Sequence, residues 1–253
     1  MKISIPPKIS WMSHELATWC KEINHLLETT NDDKNWVILV STGSYNPPHK
    51  MHLRKFEVAT KHLEENSIAH VIGCILVPSS DIYVQRKLGY QAVPFQHRKK
   101  LIEILSASCT NPHLYAVSHA ESHQDFFYTE VIELYQTIIK QLFPEYSQRM
   151  KVVYLCGSDR GAYVSYDRHV FSRDGVIVVT REEDEDLYPD KWMTVLSGGE
   201  GGYSSTALRA GGYEGLTKFV SLEAAEYITK FKLLGACKCG ARWASQQDSK
   251  CTC

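Results

Sequence analysis

The sequence has almost no excess of charge of either sign, and it lacks any long hydrophobic run. Lys and Arg total 28 against 29 Asp and Glu, which leaves a formal net charge of -1 over 253 residues. A chain with this balance has no global basic field for nucleic acid, so phosphate binding has to be local. No apolar run approaches the roughly 20 residues of a membrane span, and residues 1–7 lack the apolar core of a secretory signal. We therefore expect a soluble intracellular protein without nucleic-acid or membrane partners, in the cytoplasm, with the nucleus as an alternative.

The chain also lacks internal repeats, and its cysteines lack the usual spacing of zinc ligands. A hydrophobic content of 43% predicts one globular α/β domain, residues 1–235, which starts with a helix and is followed by a tail, residues 236–253. The tail contains two C-x-C pairs, at Cys237, Cys239, Cys251 and Cys253. Zinc ligands are usually spaced C-x₂₋₄-C, so a zinc site is the less favoured alternative to a thiol-bearing terminus. Oligomerisation stays open.

Apolar runs typical of strands alternate with stretches of helical periodicity. The runs lie at residues 36–40, 69–77, 113–117, 151–155, 175–180 and, shorter, 193–196. This alternation predicts an α/β fold with a mostly parallel sheet and helices on both faces. Between the runs we expect a polar loop at residues 81–87 and a helix from about Asp125 with Phe127 on its buried face. Ligands of such sheets bind beyond the carboxyl ends of the strands.

The most informative segment is the turn GSYNPPHKMH at residues 43–52. It follows the first apolar run and opens an amphipathic stretch, so it is predicted to connect a strand to a helix. Gly43 lets the backbone approach a ligand closely, and the two prolines end the strand. His49 then falls near the helix start, and His52 follows about one turn later. Free N–H groups at a helix start and imidazole donors favour an anion, so we expect this turn to hold a polyphosphate.

This turn resembles the G-x-F-x-P-x-H-x-x-H signature of the nucleotidylyltransferase superfamily, with Tyr45 where Phe is usual. The continuation through residues 51–54, MHLR, is most similar to the nicotinamide mononucleotide adenylyltransferases. A second superfamily motif, [I/V]-S-S-T-x-[I/L]-R, is matched by YSSTALR at residues 203–209. The resemblance covers roughly residues 36–234 and implies a Rossmann-like nucleotidylyltransferase domain. It also implies transfer of AMP from ATP to nicotinamide mononucleotide or its acid form, with Mg²⁺ bridging the triphosphate.

The resemblance gives each candidate residue a place in this reaction, in which catalysis consists mainly of alignment and of neutralising charge on the phosphates. The candidate catalytic residues are His49, His52 and Arg209. The candidate ATP-binding residues are Gly43, Ser44, Tyr45, Lys50, Gly157, Asp159, Ser204, Ser205 and Thr206. The candidate acceptor-binding residues are Arg54, Tyr83, His97 and Arg181.

Local chemistry supports these assignments to different degrees. The Ser-Ser-Thr run can cap a short helix, so that its hydroxyls and backbone N–H groups meet the β- and γ-phosphates. A carboxylate at a strand end, such as Asp159, suits a ribose hydroxyl pair, but a turn residue capping the next helix is nearly as well supported. Lys50 could reach a phosphate, although a lysine at such a position is more often only solvated. Arg54 could equally pair with Glu57 or Asp33.

The chain departs from the family where the acceptor binds. The animal-type nicotinamide enzymes have a Trp-Glu pair after the third strand, where this chain has His119-Ala120-Glu121. No Trp lies between Gly157 and Arg181 either. The aromatic residues that could substitute are Phe126, Tyr163, Tyr166 and Trp192. Three alternatives therefore stay open: a nucleotide-binding regulatory protein with residual ATPase activity, an adenylyltransferase for another phosphorylated acceptor, and a metal or protein-interaction module built on the tail.

Overall fold

The apolar runs form one parallel sheet in the computed structural model, which describes residues 14–29, 35–122, 124–171, 174–181, 193–199 and 201–234. The strands are β1 (Asn35–Gly43), β2 (Ala69–Pro78), β3 (Tyr115–Val117), β4 (Met150–Gly157), β5 (Val176–Arg181) and β6 (Thr194–Gly199). The helices are α1 (His14–Thr29), α2 (Lys50–Glu65), α3 (Asp81–Leu88), α4 (Phe95–Ser106), α5 (Tyr128–Leu142), α6 (Ser158–Val164), α7 (Arg168–Phe171), α8 (Ser205–Gly211), α9 (Leu216–Phe219) and α10 (Leu222–Lys230).

The strand order is β3-β2-β1-β4-β5-β6, and every neighbouring pair is parallel. The prediction of a Rossmann-like α/β fold is confirmed. The chain moves outward in one direction from β1 to β3 and in the other from β4 to β6. The order therefore reverses between β1 and β4, and the crevice beyond their carboxyl ends is where ligands of such sheets bind.

Both faces of the sheet are covered, which explains why the strands read as continuous apolar runs. In β1, Ile38 and Val40 belong to one hydrophobic cluster, and Val37 and Leu39 belong to the other. The first cluster includes side chains of α1 and α5, and the second includes side chains of α2, α4 and α10. No helix in the described ranges is long and apolar enough to cross a membrane.

Three local predictions were wrong. Residues 81–88 form helix α3 instead of a polar loop, because Ser80 caps the helix by accepting from the Tyr83 N–H. Within α3, the buried residue is Val84, so the helix has little apolar periodicity to reveal it. Helix α5 begins at Tyr128, and Phe127 precedes it with 76% of its surface exposed. The third strand begins at Tyr115, since residues 112–114 form a 3₁₀ turn opened by proline.

Candidate active site

A cavity of about 320 Å³ lies beyond the carboxyl ends of β1, β4 and β5, at the point where the strand order reverses. It brings together most of the residues that the sequence singled out. Those that line it are Gly43, Ser44, Tyr45, His49, His52, Gly157, Asp159, Arg181, Ser204, Ser205, Thr206 and Arg209. The two motifs therefore contribute to one site.

Tyr45 stabilises the turn after β1 through contacts with Ser41 and His52. Tyr45 adopts a left-handed backbone conformation, with φ at 45°, which is uncommon for a residue other than glycine. Its buried hydroxyl donates to the Ser41 carbonyl oxygen over 3.0 Å, and its ring meets the His52 ring edge-on at 4.9 Å between centroids. A Cβ atom on Gly43 would lie 3.3 Å from the Tyr45 ring, so a larger residue there would disturb this packing.

His49 and His52 form a pair at the start of helix α2. The backbone N–H of His49, the N-cap residue, donates to Nδ1 of His52 over 3.0 Å. An imidazole nitrogen that accepts a hydrogen bond carries no proton, so a neutral His52 holds its proton on Nε2. The backbone of α2 thus fixes the tautomer of His52 and leaves an Nε2–H donor on a side chain that lines the cavity.

Both histidines are neutral in the free protein at pH 7. Burial lowers the pKa of His49 to about 3, and the positive charges of Lys55 and Arg181 contribute to that shift. Burial also holds the pKa of His52 well below its usual value, assisted by His49, Lys55 and Arg181. The buried Nδ1 atom of His49 has no hydrogen-bond partner in the described part of the chain. The positive charges of Lys55 and Arg181 near the two histidines favour a bound anion.

The second motif docks directly onto the first. The Ser205 hydroxyl donates to the Pro47 carbonyl oxygen over 2.8 Å, and the Arg209 guanidinium donates to the Asn46 carbonyl oxygen over 2.5 Å. Ser204 caps α8 by accepting from the Ala207 N–H, so its own proton is free for a ligand. Among the hydroxyls of Ser204, Ser205 and Thr206, that of Ser205 already donates its proton to the turn and cannot also donate it to a ligand.

Gly157, the last residue of β4, and Asp159, at the start of α6, both line the cavity. A Cβ atom on Gly157 would lie 3.2 Å from an Asp159 carboxylate oxygen, so a larger residue there would crowd that carboxylate. On the opposite wall, the buried Ser44 hydroxyl lacks a hydrogen-bond partner within the described residues. A nucleotide with ribose hydroxyls and phosphates would provide partners for both groups.

Four predicted residues lie outside the cavity lining. Lys50 donates to the Thr217 carbonyl oxygen over 2.9 Å, and Arg54 pairs with Glu57 at 3.0 Å. His97, in α4, hydrogen bonds to the hydroxyl of Tyr227, in α10, at 2.9 Å. Tyr83 hydrogen bonds to Arg160, which does line the cavity. Their assignment to ATP or to the acceptor stays a prediction, and the geometry gives Lys50, Arg54 and His97 other partners.

The cavity lining also contains residues that sequence reasoning did not single out, among them Asn46, Lys55, Lys87 and Arg160. Asn46 lies inside the motif and holds the turn to the segment before α4, because it accepts from the Val93 N–H and donates to the Gln91 carbonyl oxygen. The signal for Lys55 was its position three residues after His52, which places both on one face of α2. No such signal marked Lys87, an exposed residue in the last turn of α3 that reaches the cavity rim only because of how α3 is placed.

The described residues contain no group of three or more His, Cys, Asp or Glu that could hold a metal ion. The proposed zinc ligands Cys237, Cys239, Cys251 and Cys253 lie outside the described residues, as does Trp192. Of the other aromatic candidates for the acceptor ring, Tyr163 and Tyr166 are exposed and Phe126 is half-buried. All three lie outside the cavity lining.

Comparison with known proteins matches residues 40–211 to the family described as cytidylyltransferase-like. The chain is 30% identical over 168 residues to a nicotinamide/nicotinic acid mononucleotide adenylyltransferase from Arabidopsis thaliana, a match covering 63% of this chain and 67% of that protein. The protein of the same name from Oryza sativa is 28% identical over 164 residues, covering 59% and 61%. A nicotinamide/nicotinic acid mononucleotide adenylyltransferase 2 from Saccharomyces cerevisiae is 35% identical over 101 residues, covering 40% and 25%. These matches span two thirds of the relatives' length or less.

Proposed function

Because the chain belongs to the cytidylyltransferase-like family, we propose that it transfers AMP from ATP to nicotinamide mononucleotide or nicotinic acid mononucleotide. The products are NAD or its acid form and pyrophosphate. The curated relatives carry the name of this activity. The nucleotidylyltransferase motifs at residues 43–52 and 203–209 supply the residues for it.

The observation that carries the proposal is the joining of the two motifs in one cavity. Arg209 and Ser205 hydrogen bond to the backbone of Asn46 and Pro47. These bonds hold helix α8 directly against the histidine turn, residues 43–52. The same cavity is lined by His52, whose Nε2–H is a donor, by Ser44, whose hydroxyl is unpaired among the described residues, and by Arg181. This arrangement of donors suits a polyphosphate that binds where the strand order reverses, beyond the carboxyl ends of β1 and β4.

The reaction forms one P–O bond and breaks another. A phosphate oxygen of the acceptor mononucleotide attacks the α-phosphorus of ATP, and the bond from that phosphorus to the β-phosphate oxygen breaks. Pyrophosphate leaves with the electron pair. Because the attacking oxygen is already ionised at pH 7, no residue has to remove a proton from it. The protein's work is to align the reactants and to donate hydrogen bonds to the oxygens that gain charge.

His52 and Arg209 have different tasks in this scheme. The Nε2–H of His52 donates to an oxygen of the transferred phosphate, where charge develops in the transition state. Arg209 addresses the β- and γ-phosphate oxygens, which carry charge before and during the reaction. The carboxylate of Asp159 accepts from the ribose hydroxyls of the nucleotide.

Magnesium fits this cavity as a companion of ATP. Asp159 is the carboxylate residue in the cavity lining, which otherwise presents cations and hydroxyls. Such a lining offers little to an Mg²⁺ ion by itself, so phosphate oxygens and water would provide most of its ligands. When bound, the ion supplies charge neutralisation across the triphosphate.

The proposal is tested by incubating the purified chain with Mg-ATP and a panel of phosphorylated acceptors, and by identifying products by mass. The panel contains nicotinamide mononucleotide, nicotinic acid mononucleotide and non-pyridine phosphates such as ribose 5-phosphate. We expect dinucleotide from the two pyridine mononucleotides. A product from a non-pyridine phosphate alone would contradict the pyridine acceptor, and the absence of any adenylylated product would contradict the transfer itself.

A further inference from the structure

A lysine occupies the floor of the cavity, where the sequence predicted no site residue. Lys55 lies on α2, three residues after His52, and it is 8% exposed. Its ammonium group donates to the Ser41 hydroxyl over 2.5 Å, and the residue lines the cavity beside Cys156. The side chain therefore extends from the helix toward the carboxyl ends of β1 and β4, where the strand order reverses.

Among the described residues, the ammonium of Lys55 has no carboxylate in direct contact. The side chains that face it are Ser41 and Tyr45 from β1 and its turn, His49 and His52 from α2, Cys156 from β4, Asp159 and Arg160 from α6, and Arg181 from β5. Burial raises the pKa of the Cys156 thiol to about 12, so that group is neutral. Within the described chain, no carboxylate lies within 4.0 Å of the Lys55 ammonium.

The fold disfavours this charge in the free protein. Burial lowers the pKa of Lys55 to about 8, although the negative charge of Asp159 acts in the opposite direction. A folded pKa below the unfolded value means that the unfolded chain binds the proton more tightly. Burial of the charged ammonium therefore lowers the stability of the free protein at neutral pH. Its hydrogen bond to Ser41 and its position 5.8 Å from the Tyr45 and Phe56 ring centroids offset part of that cost, but none of these partners carries a negative charge.

We propose that Lys55 is a phosphate-binding residue, whose ammonium group binds a non-bridging oxygen of the phosphate that is transferred. The proposal rests on the proposed function, because it takes ATP as the ligand. Arg209, on α8, addresses the other end of the triphosphate, whereas Lys55 and His52 share one face of α2. The ammonium keeps its protons throughout, while the acceptor oxygen bonds to phosphorus and pyrophosphate leaves with the electron pair.

Binding of the anion gives this role a direct signature. An oxyanion beside Lys55 raises the affinity of the amine for a proton, so binding at pH 8.5 is accompanied by proton uptake. The phosphates of ATP are fully ionised at that pH and add little to the signal. Calorimetric titration of Mg-ATP into the protein, in two buffers that differ in ionisation enthalpy, measures the number of protons taken up.

The matched variants are Lys55→Met and Lys61→Met, which remove a lysine from the same helix. Lys61 is exposed and pairs with Glu65 at 3.9 Å. We expect an uptake of about half a proton or more in the wild type and in Lys61→Met, and almost none in Lys55→Met. An equal uptake in Lys55→Met would overturn the proposal.

Turnover and stability separate this role from a structural one. In Lys55→Met, kcat should fall by about a hundredfold, the effect of losing one preorganised donor. The decline of kcat/KM above pH about 8, which reports deprotonation of Lys55 in the free protein, should disappear. The thermal midpoint of unfolding should not fall, since the variant removes a buried charge and the Tyr45 hydroxyl, whose proton the two oxygens of Ser41 share, stays 3.2 Å from the Ser41 hydroxyl.

The two failures are distinguishable. If the wild type binds Mg-ATP with proton uptake that Lys55→Met abolishes, but forms no dinucleotide, the proposed function fails and the phosphate site stands. If the wild type forms dinucleotide, and Lys55→Met does so equally fast with unchanged proton uptake, the function stands and Lys55 has no part in it. A lowered unfolding midpoint in Lys55→Met together with normal turnover would also overturn the proposal.

Discussion

The Arg209 guanidinium donates to the backbone carbonyl oxygen of Asn46 over 2.5 Å, across 163 positions of the chain. Its other terminal nitrogen lies 3.2 Å from the Thr206 hydroxyl oxygen. The arginine thus connects the phosphate motif on α8 to the turn after β1. The planar guanidinium reaches the two acceptors from two different nitrogens and keeps further N–H groups, whereas a lysine would have to donate to both from a single nitrogen.

For Arg209→Ala we expect the KM for ATP to rise by about tenfold or more, while kcat changes much less. The reason is that Arg209 addresses oxygens that are charged in the ground state and in the transition state alike. Arg209→Lys should give an intermediate KM. Initial rates at varied ATP concentration provide the measurement, and a large fall in kcat with an unchanged KM would show that the arginine acts in the transition state instead.

The roles of the two ring nitrogens of His52 can be separated by substitution. An asparagine places its carbonyl oxygen where Nδ1 lies, so His52→Asn keeps an acceptor for the His49 N–H and loses the Nε2–H donor. We expect turnover to fall by about a hundredfold. His52→Ala should fall as far and also lose about 1 kcal/mol of stability with the cap. Steady-state rates and urea unfolding measure the two effects. Wild-type turnover in His52→Asn would remove Nε2 from the mechanism.

Acid should destabilise the free protein through its buried histidines. The folded pKa of His49, at about 3, is below its unfolded value near 6.5, so the unfolded chain binds protons first as the pH falls. The stability associated with the neutral imidazole is complete above pH about 6.5 and is lost below it, at about 1.4 kcal/mol per pH unit. Urea unfolding between pH 7 and pH 5 measures the slope. His49→Asn should reduce it, and an unchanged slope would contradict the buried neutral state of His49.

Arg98 should be essential for the stability of the turn. It is fully buried and donates to the carbonyl oxygens of Ser44 and Val93 and to the Asp81 carboxylate, each within 2.9 Å. Arg98→Met removes the donor to both carbonyl oxygens and leaves Asp81 with the Phe95 N–H but without its cation, so it should cost about 3 kcal/mol. The control Arg86→Met, which removes an exposed partner of Asp125, should cost less than about 1 kcal/mol. Equal urea midpoints for the two variants would refute this role.

The sequence predicts the parallel sheet because both faces of the sheet are covered, which makes runs such as residues 36–40 continuously apolar. It predicts the histidine turn because glycine, proline and histidine have distinct backbone and chemical roles within ten consecutive positions. Helix α3 could not be predicted from such a pattern. Its stability comes from the Ser80 cap and from packing of a single residue, Val84, so periodicity is almost absent.

The contacts that complete the site depend on the folded chain. The burial of Lys55 could not be predicted, since lysine is mostly solvated and the hydroxyl that receives it, on Ser41, lies in another element. In the same way, the partnership of Arg209 with Asn46 joins residues that become neighbours only when β1 and α8 meet at one end of the sheet.

The most direct test of the central claim is the phosphorus balance of one reaction, followed by ³¹P nuclear magnetic resonance. The wild-type protein is incubated with Mg-ATP and nicotinamide mononucleotide, with His52→Asn in parallel. We predict that the diphosphate signal of the dinucleotide and the signal of pyrophosphate rise together in equal amounts, about a hundredfold more slowly in the variant. Orthophosphate that accumulates without any dinucleotide would contradict adenylyl transfer and identify the cavity as a site of ATP hydrolysis.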